Sequence, residues 1–213
     1  MEDKNNRQNI EKIFEFLHAV GNLKSTFRWS ETKEMPKDSS ADHSWRLALM
    51  AFIIADELKL NIDKFRAMKI ALVHDIAESI TGDVDYRKIA DGRVSKEEKT
   101  MQEIIAINKL KNMLPEEIGK EFFLLWEEYE KVETQEAKFI KALDKIETLT
   151  HLMEVGHIYF HKRADIIPYY GKKQIEDFPE LKEVMGFVRE KIKEDFDKGG
   201  IKWEEEEKNE SHS

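Results

Sequence analysis

The chain contains no cysteine, which removes disulfide scaffolds, cysteine-based zinc sites and thiol catalysis. Proline and glycine are also scarce, with 4 and 9 residues among 213. That is too few turn formers for a sandwich or barrel of many short strands. No apolar run approaches the roughly 20 residues that span a bilayer. The opening residues, Met1-Glu2-Asp3-Lys4-Asn5-Asn6, lack the apolar stretch of a secretory signal. A cytoplasmic protein with no membrane partner is therefore expected. Positive charge is in deficit, since 35 Lys and Arg face 44 Asp and Glu for a formal net charge of −9. Such a surface repels a phosphate backbone, so nucleic-acid polymers are not expected as partners. A small anion held by one local cation is a different matter. What the chain does hold is 37% charged and 40% hydrophobic residues, enough apolar material for a sizeable core. Its charge content exceeds the ~25% of an average soluble domain.

Helical spacing dominates the apolar pattern. Ile10, Ile13, Phe14, Leu17 and Val20 form one stripe, with Gly21 as a stop. After a polar stretch containing Pro36, a second helix is predicted from Ala41–Asp42 to about Leu60. It is apolar nearly all round and so expected at the centre of the fold. A third, capped by Asn61 or Asp63, is predicted to run through Ile80 and end at Thr81-Gly82-Asp83. A polar loop then reaches Val94, and Ser95 with Glu98 forms a capping box for a fourth helix. Further helices are predicted after Pro115, over 134–154 and over 179–196. The expectation is all-α: a single-domain helical bundle over residues 7–197 and an acidic tail over 198–213.

Within the third predicted helix stand His74 and Asp75, and Glu78 follows one turn later. A carboxylate in so apolar a segment costs several kcal/mol unless it is paired or bound to a metal. A buried His–Asp hydrogen bond that orients a core imidazole is one reading of the pair. His43, at the start of the second helix, and Asp144, within Ala142-Leu143-Asp144-Lys145-Ile146-Glu147, favour another. Two histidines and two aspartates drawn from three helices is how bundle cores assemble metal sites.

The order His43, His74-Asp75, Asp144 resembles the metal-binding signature of the HD-domain phosphohydrolase superfamily. The similarity extends to Arg28-Trp29, Asp42-His43-Ser44, His74-Asp75-Ile76-Ala77-Glu78, Thr81-Gly82-Asp83-Val84 and Asp144-Lys145-Ile146-Glu147. This set resembles the HD-domain 5′-deoxynucleotidases, metal-dependent phosphomonoesterases that convert deoxyribonucleoside 5′-monophosphates to deoxynucleoside and phosphate. The resemblance implies an HD-type fold and one divalent metal ligated by His43, His74, Asp75 and Asp144. Their two carboxylates would cancel the ion's charge. Mixed nitrogen and oxygen ligands suit Mn²⁺, Co²⁺, Fe²⁺ or Zn²⁺ better than Mg²⁺. A water activated on that ion would be the nucleophile. Glu78 would be the catalytic carboxylate that orients the water and carries its proton, not a further ligand. Arg28 would orient the phosphate through its guanidinium fork, and Trp29 would wall the sugar and base pocket against a 2′-hydroxyl. Asp83 would contact substrate near its sugar or leaving oxygen. The similarity lapses at Asp85-Tyr86-Arg87-Lys88, where bacterial deoxynucleotidases carry a Pro-containing stretch.

The competing functions are an HD hydrolase of another phosphate ester, such as a nucleoside triphosphate, and a catalytically silent nucleotide-binding regulatory module. Retention of Glu78 and Arg28 beside the ligand set speaks against silence. Homodimers are common in the family, and a homodimer is expected here. His157 and His161, one turn apart, read as surface or structural residues, His18 and His151 as packing or hydrogen-bonding residues, and Phe122 to Trp126 as core or subunit interface.

Overall fold

In a computed structural model the chain is helical, and it is described over residues 2–30, 32, 34–159 and 164–204. Its Cα positions divide into two compact units, Met1–Ile140 and Lys141–Ser213. Among the described residues there is no strand, only an isolated antiparallel bridge between Phe27 and Ser39. No described helix is long and apolar enough to cross a membrane.

The first unit opens with α1 (Glu2–Val20) and a 3₁₀ turn (Gly21–Ser25). Helix α2 (Ser40–Glu57) begins at a capping box in which the Ser39 side chain accepts from the Asp42 N–H and Asp42 accepts from the Ser39 N–H. Helix α3 (Lys64–Val73) is capped by Asp63 and packs along α2. After α3 come a short α4 (Glu78–Thr81), α5 (Tyr86–Ala90), α6 (Lys96–Met113) and α7 (Glu116–Lys131). The Ser95–Glu98 capping box forms as predicted at α6. Leu47 and Ala51 of α2, Ile70 and Ala71 of α3, and Ile107 and Leu110 of α6 make the fully buried centre. Helices α6 and α7 approach so closely that a Cβ on Gly119 would lie 2.5 Å from the Lys111 carbonyl oxygen. Arg66 of α3 reaches the buried Glu128 of α7, which also accepts from Thr134. A buried carboxylate is thus satisfied away from any site.

Helix α8 (Gln135–Val155) runs from the first unit into the second. The second unit continues through short 3₁₀ turns and α9 (Lys172–Asp177) to α10 (Lys182–Gly199). Its fully buried residues include Leu143, Ile146, Leu149, Leu181, Met185 and Phe196. Trp203 packs edge-on against Phe196. His157 pairs with Asp195 at 3.1 Å, a structural role, whereas His161 and residues 205–213 of the predicted tail lie outside the described residues.

Four sequence expectations need correction. The predicted third helix is not continuous: it ends at Val73, and residues 74–77 turn before α4. The predicted central helix is buried on one face only. Trp45, Leu49, Phe52 and Ile53 of α2 face solvent, Trp45 being 64% exposed. Likewise Phe14 of α1 is 67% exposed, while Phe16, outside the apolar stripe, is buried. Hydrophobic periodicity detects an apolar face without saying what covers it. Finally, the predicted loop after Val84 contains α5, whose Asp85 cap accepts from the Arg87 N–H.

Candidate metal centre

The interruption after α3 shapes the centre. His74 still donates its backbone N–H to the Ile70 carbonyl, as in a helix. Beyond it the bonds tighten to i→i+3, from Ile76 to Val73 and from Glu78 to Asp75. The His74 ring folds back so that Nδ1 lies 2.7 Å from the Ala71 carbonyl oxygen. A carbonyl can only accept, so Nδ1 carries the hydrogen and Nε2 presents its lone pair. Outer-shell anchoring of this kind fixes both tautomer and ring orientation in metal-ligating histidines. The Tyr129 ring of α7 packs edge-on against the imidazole.

His43, 1% exposed near the start of α2, faces that lone pair. The two Nε2 atoms are 3.2 Å apart, and Asp75 Oδ2 lies 3.0 Å from His74 Nε2 and 3.7 Å from His43 Nε2. One ligand atom from each of the three residues falls within 4.8 Å of the others. Two imidazole nitrogens and one carboxylate converging on a buried point match the borderline donor set of a transition-metal ion. The residues present fit such an ion. Asp144, the fourth residue of the predicted set, belongs to the second unit, where it is buried and pairs with Lys145 at 2.7 Å.

Glu78 is not part of that triangle. Only 4% exposed, it accepts a 2.6 Å hydrogen bond from the Ser40 hydroxyl through Oε2. Burial pushes its carboxyl well above the usual carboxylate range; Asp75 and Asp83 push the same way, and Ser40 and Lys99 resist. The Phe27–Ser39 bridge brings Ser40 there, because the Arg28 N–H donates to the Asp38 carbonyl and the Ser40 N–H to the Thr26 carbonyl. The same bridge sets Arg28 beside Asp38, with Nη1 3.1 Å from Oδ2.

Asp83 follows Gly82, which ends α4 at a φ of +75° that suits glycine. Burial raises the Asp83 carboxyl to about 6, Arg28 opposing and Asp75 and Asp85 reinforcing. On α6, which packs against α4, Lys99 pairs with Glu103. Burial alone would lower the Lys99 ammonium, but Glu103, Asp75 and Glu78 outweigh it and hold the group raised. The centre therefore crowds three carboxylates, with Arg28 and Lys99 as counter-charges. Ser40, Asp38 and Lys99 were not singled out by sequence. Ser40 closes the polar stretch that reads as a loop, and Lys99 lies in a charged run that reads as a solvated helix face.

One consequence concerns stability in chelator. Asp83 titrates near 3.8 when unperturbed and near 6 when folded, so between those values the folded state holds more of its proton. Its contribution to stability therefore falls as pH rises through that window and stays unfavourable above it. The Asp83→Asn variant is expected to melt higher than the wild type at pH 7 in EDTA, with the difference shrinking toward pH 4. A difference that stays level across that range in differential scanning fluorimetry would contradict this.

An all-helical fold that aims two histidines and an adjacent aspartate at one buried point defines the HD class of metal-centred proteins. The sequence profile of the HD domain family matches residues 20–185, and the chain belongs to that family. Among individual relatives, it is 38% identical over 160 residues to the 5′-deoxynucleotidase HDDC2 of Homo sapiens, covering 74% of each chain. It is 40% identical over 144 residues to that of Bos taurus, covering 67% of each. A solved structure described as a predicted metal-dependent phosphohydrolase from Magnetospirillum magnetotacticum MS-1 superposes with a TM-score of 0.72 at 25% identity, covering 91% of this chain and 98% of that one.

Proposed function

We propose that the chain is a metal-dependent 5′-deoxynucleotidase, which hydrolyses deoxyribonucleoside 5′-monophosphates to deoxynucleoside and phosphate. The observation that carries this reading is the His43–His74–Asp75 triangle, its two histidines buried, with Glu78 held beside it by Ser40. The names of the relatives agree with it. His43, His74 and Asp75 would hold one divalent ion, Mn²⁺, Co²⁺, Fe²⁺ or Zn²⁺, and the family resemblance adds Asp144 as a fourth ligand. When bound, such an ion polarises a phosphoryl oxygen and acidifies water.

The remaining work falls to the chain's own side chains. Ser40 fixes Oε2 of Glu78, which leaves Oε1 to orient the attacking water and take its proton. A carboxyl raised by burial holds that proton more readily than an exposed one does. As the water oxygen bonds to phosphorus, the bond to the 5′-oxygen breaks. Asp83, whose carboxyl burial raises to about 6, returns a proton to the leaving oxygen from its protonated form. Arg28, steadied by Asp38, matches the phosphate oxygens, and Trp29 walls the sugar and base.

The test is phosphate release from the four deoxyribonucleoside 5′-monophosphates with Mn²⁺ or Co²⁺. EDTA is expected to stop it, and Arg28→Ala to cut kcat/KM by about 10²-fold, in line with loss of a charge-assisted fork in the transition state. Release only from triphosphates or non-nucleotide esters would replace the substrate assignment. Nucleotide binding without release would leave a regulatory module.

The same proposal includes a cytoplasmic homodimer. The solvent-facing Trp45, Leu49, Phe52 and Ile53 recur along one side of α2, and an apolar face of that kind marks an interaction surface. Sedimentation is expected to give twice the chain mass at micromolar concentration, and Trp45→Glu to give one. A wild-type monomer there rules the dimer out.

A further inference from the structure

Resting on that reading, we propose that Arg87 is a positioning residue that holds Trp29 against the substrate pocket and thereby sets how strictly the enzyme separates deoxyribose from ribose.

Trp29 carries an unusual backbone. Its φ of +59° lies in the left-handed region, where a bulky residue persists only if its surroundings over-determine it. The surroundings are visible. The Thr32 N–H donates to the Trp29 carbonyl at 2.9 Å, and the Thr32 hydroxyl in turn accepts from Arg87 Nη1 at 2.7 Å. Arg87 is itself clamped on Asp85: Nε donates to Oδ1 at 2.9 Å and Nη2 to Oδ2 at 2.6 Å. Asp85 is buried and also caps α5 through the Arg87 N–H at 3.0 Å. A buried carboxylate and a bidentate guanidinium make a rigid bracket. Arg87 ties the Trp29 backbone, through Thr32, to the start of α5.

The indole is held as well as its backbone. The Arg87 guanidinium carbon lies 5.8 Å from the Trp29 ring centroid, and the Arg28 guanidinium carbon lies at the same distance. Both are within cation–π reach. Each of the three Arg87 nitrogens already donates to protein, which holds the guanidinium in place as a support for the wall. Arg28, anchored on Asp38, links the same ring to the phosphate it is proposed to orient. The pocket wall is thus strung between two arginines with different tasks.

The experiment compares wild type, Arg87→Ala and Arg87→Lys in Mn²⁺ on one deoxyribonucleoside 5′-monophosphate and its ribonucleoside counterpart. Arg87→Ala is expected to raise KM for the deoxynucleotide by about tenfold, with kcat changed less than about threefold, because it loosens binding and not the chemistry. The deoxy-to-ribo ratio of kcat/KM is expected to fall by about fivefold or more. Lysine, which keeps the charge without the fork, restores less than half of either change. Thr32→Val, which removes the tether hydroxyl at nearly constant volume, is expected to move the ratio the same way by a smaller factor. It covers the case in which Arg87→Ala fails to fold. Adding Trp29→Phe to Arg87→Ala is expected to cost less than Trp29→Phe costs alone. Wild-type KM and ratio in both Arg87→Ala and Thr32→Val would overturn the inference, as would a kcat collapse at constant ratio. A wild type that hydrolyses both sugars equally leaves the nucleotidase standing and removes the inference. A wild type inert on every nucleoside monophosphate removes both.

Discussion

Replacing Glu78 by glutamine is expected to lower turnover of a deoxyribonucleoside 5′-monophosphate by about 10²- to 10⁴-fold, the range general-base catalysis supplies. Metal content should not change. The expectation rests on where Glu78 lies. It is buried, bonded to Ser40, and outside the triangle of His43, His74 and Asp75. Glutamine preserves the shape and an oxygen for the Ser40 hydroxyl, but it cannot accept a proton from water. It also removes a buried carboxylate next to Asp75 and Asp83, so the ion-free protein should melt no lower than the wild type. Metal analysis beside single-turnover kinetics decides the matter. Loss of the ion would make Glu78 a ligand, and retained turnover would move the proton to another group.

The second large effect falls on the metal. Asp75→Asn removes the one anionic ligand of the triangle, whose Oδ2 sits within 3.7 Å of both imidazole nitrogens. Dialysed protein is expected to drop from about one ion per chain to almost none. Activity should fall by more than the roughly 10²-fold that loss of an outer-shell partner costs. The reverse sign is expected for the ion-free fold, since an uncharged residue 75 relieves repulsion on Glu78 and Asp83. A variant that binds metal normally would show that Asp75 pairs with the histidines and does nothing more.

How much of this was legible in the sequence depends on the kind of signal. The Ser95–Glu98 capping box, the cap at Asp63 (one of the two candidates) and the helix after Pro115 are local, and they form where the sequence puts them, give or take a residue. The His43, His74 and Asp75 convergence was legible because apolar helices rarely carry such residues without a purpose. Which face of α2 is covered was not legible. That depends on packing of α3 beside it, and Trp45 looks as fit for a core as Leu47 does. The break at His74 escaped because the side chain that competes for the helix acceptor is visible only in three dimensions. Ser40 and Asp38 escaped for a related reason: they are placed by a single bridge between Phe27 and Ser39, too short to leave a periodic trace. Asp144 stays an assignment from resemblance, tested by whether Asp144→Asn weakens metal retention.

The imidazole of His74 is fixed by an oxygen, that of Ala71, which an unbroken helix would reserve for the N–H of residue 75. Rigidity at the ligand is therefore obtained from irregularity in the backbone. Anyone seeking a hardier version of this protein by smoothing residues 74–77 with strong helix formers would be working against its chemistry. The substitutions that most improve its resistance to heat along this stretch should be the ones that leave it least able to keep an ion, and a screen that scores melting alone would select them.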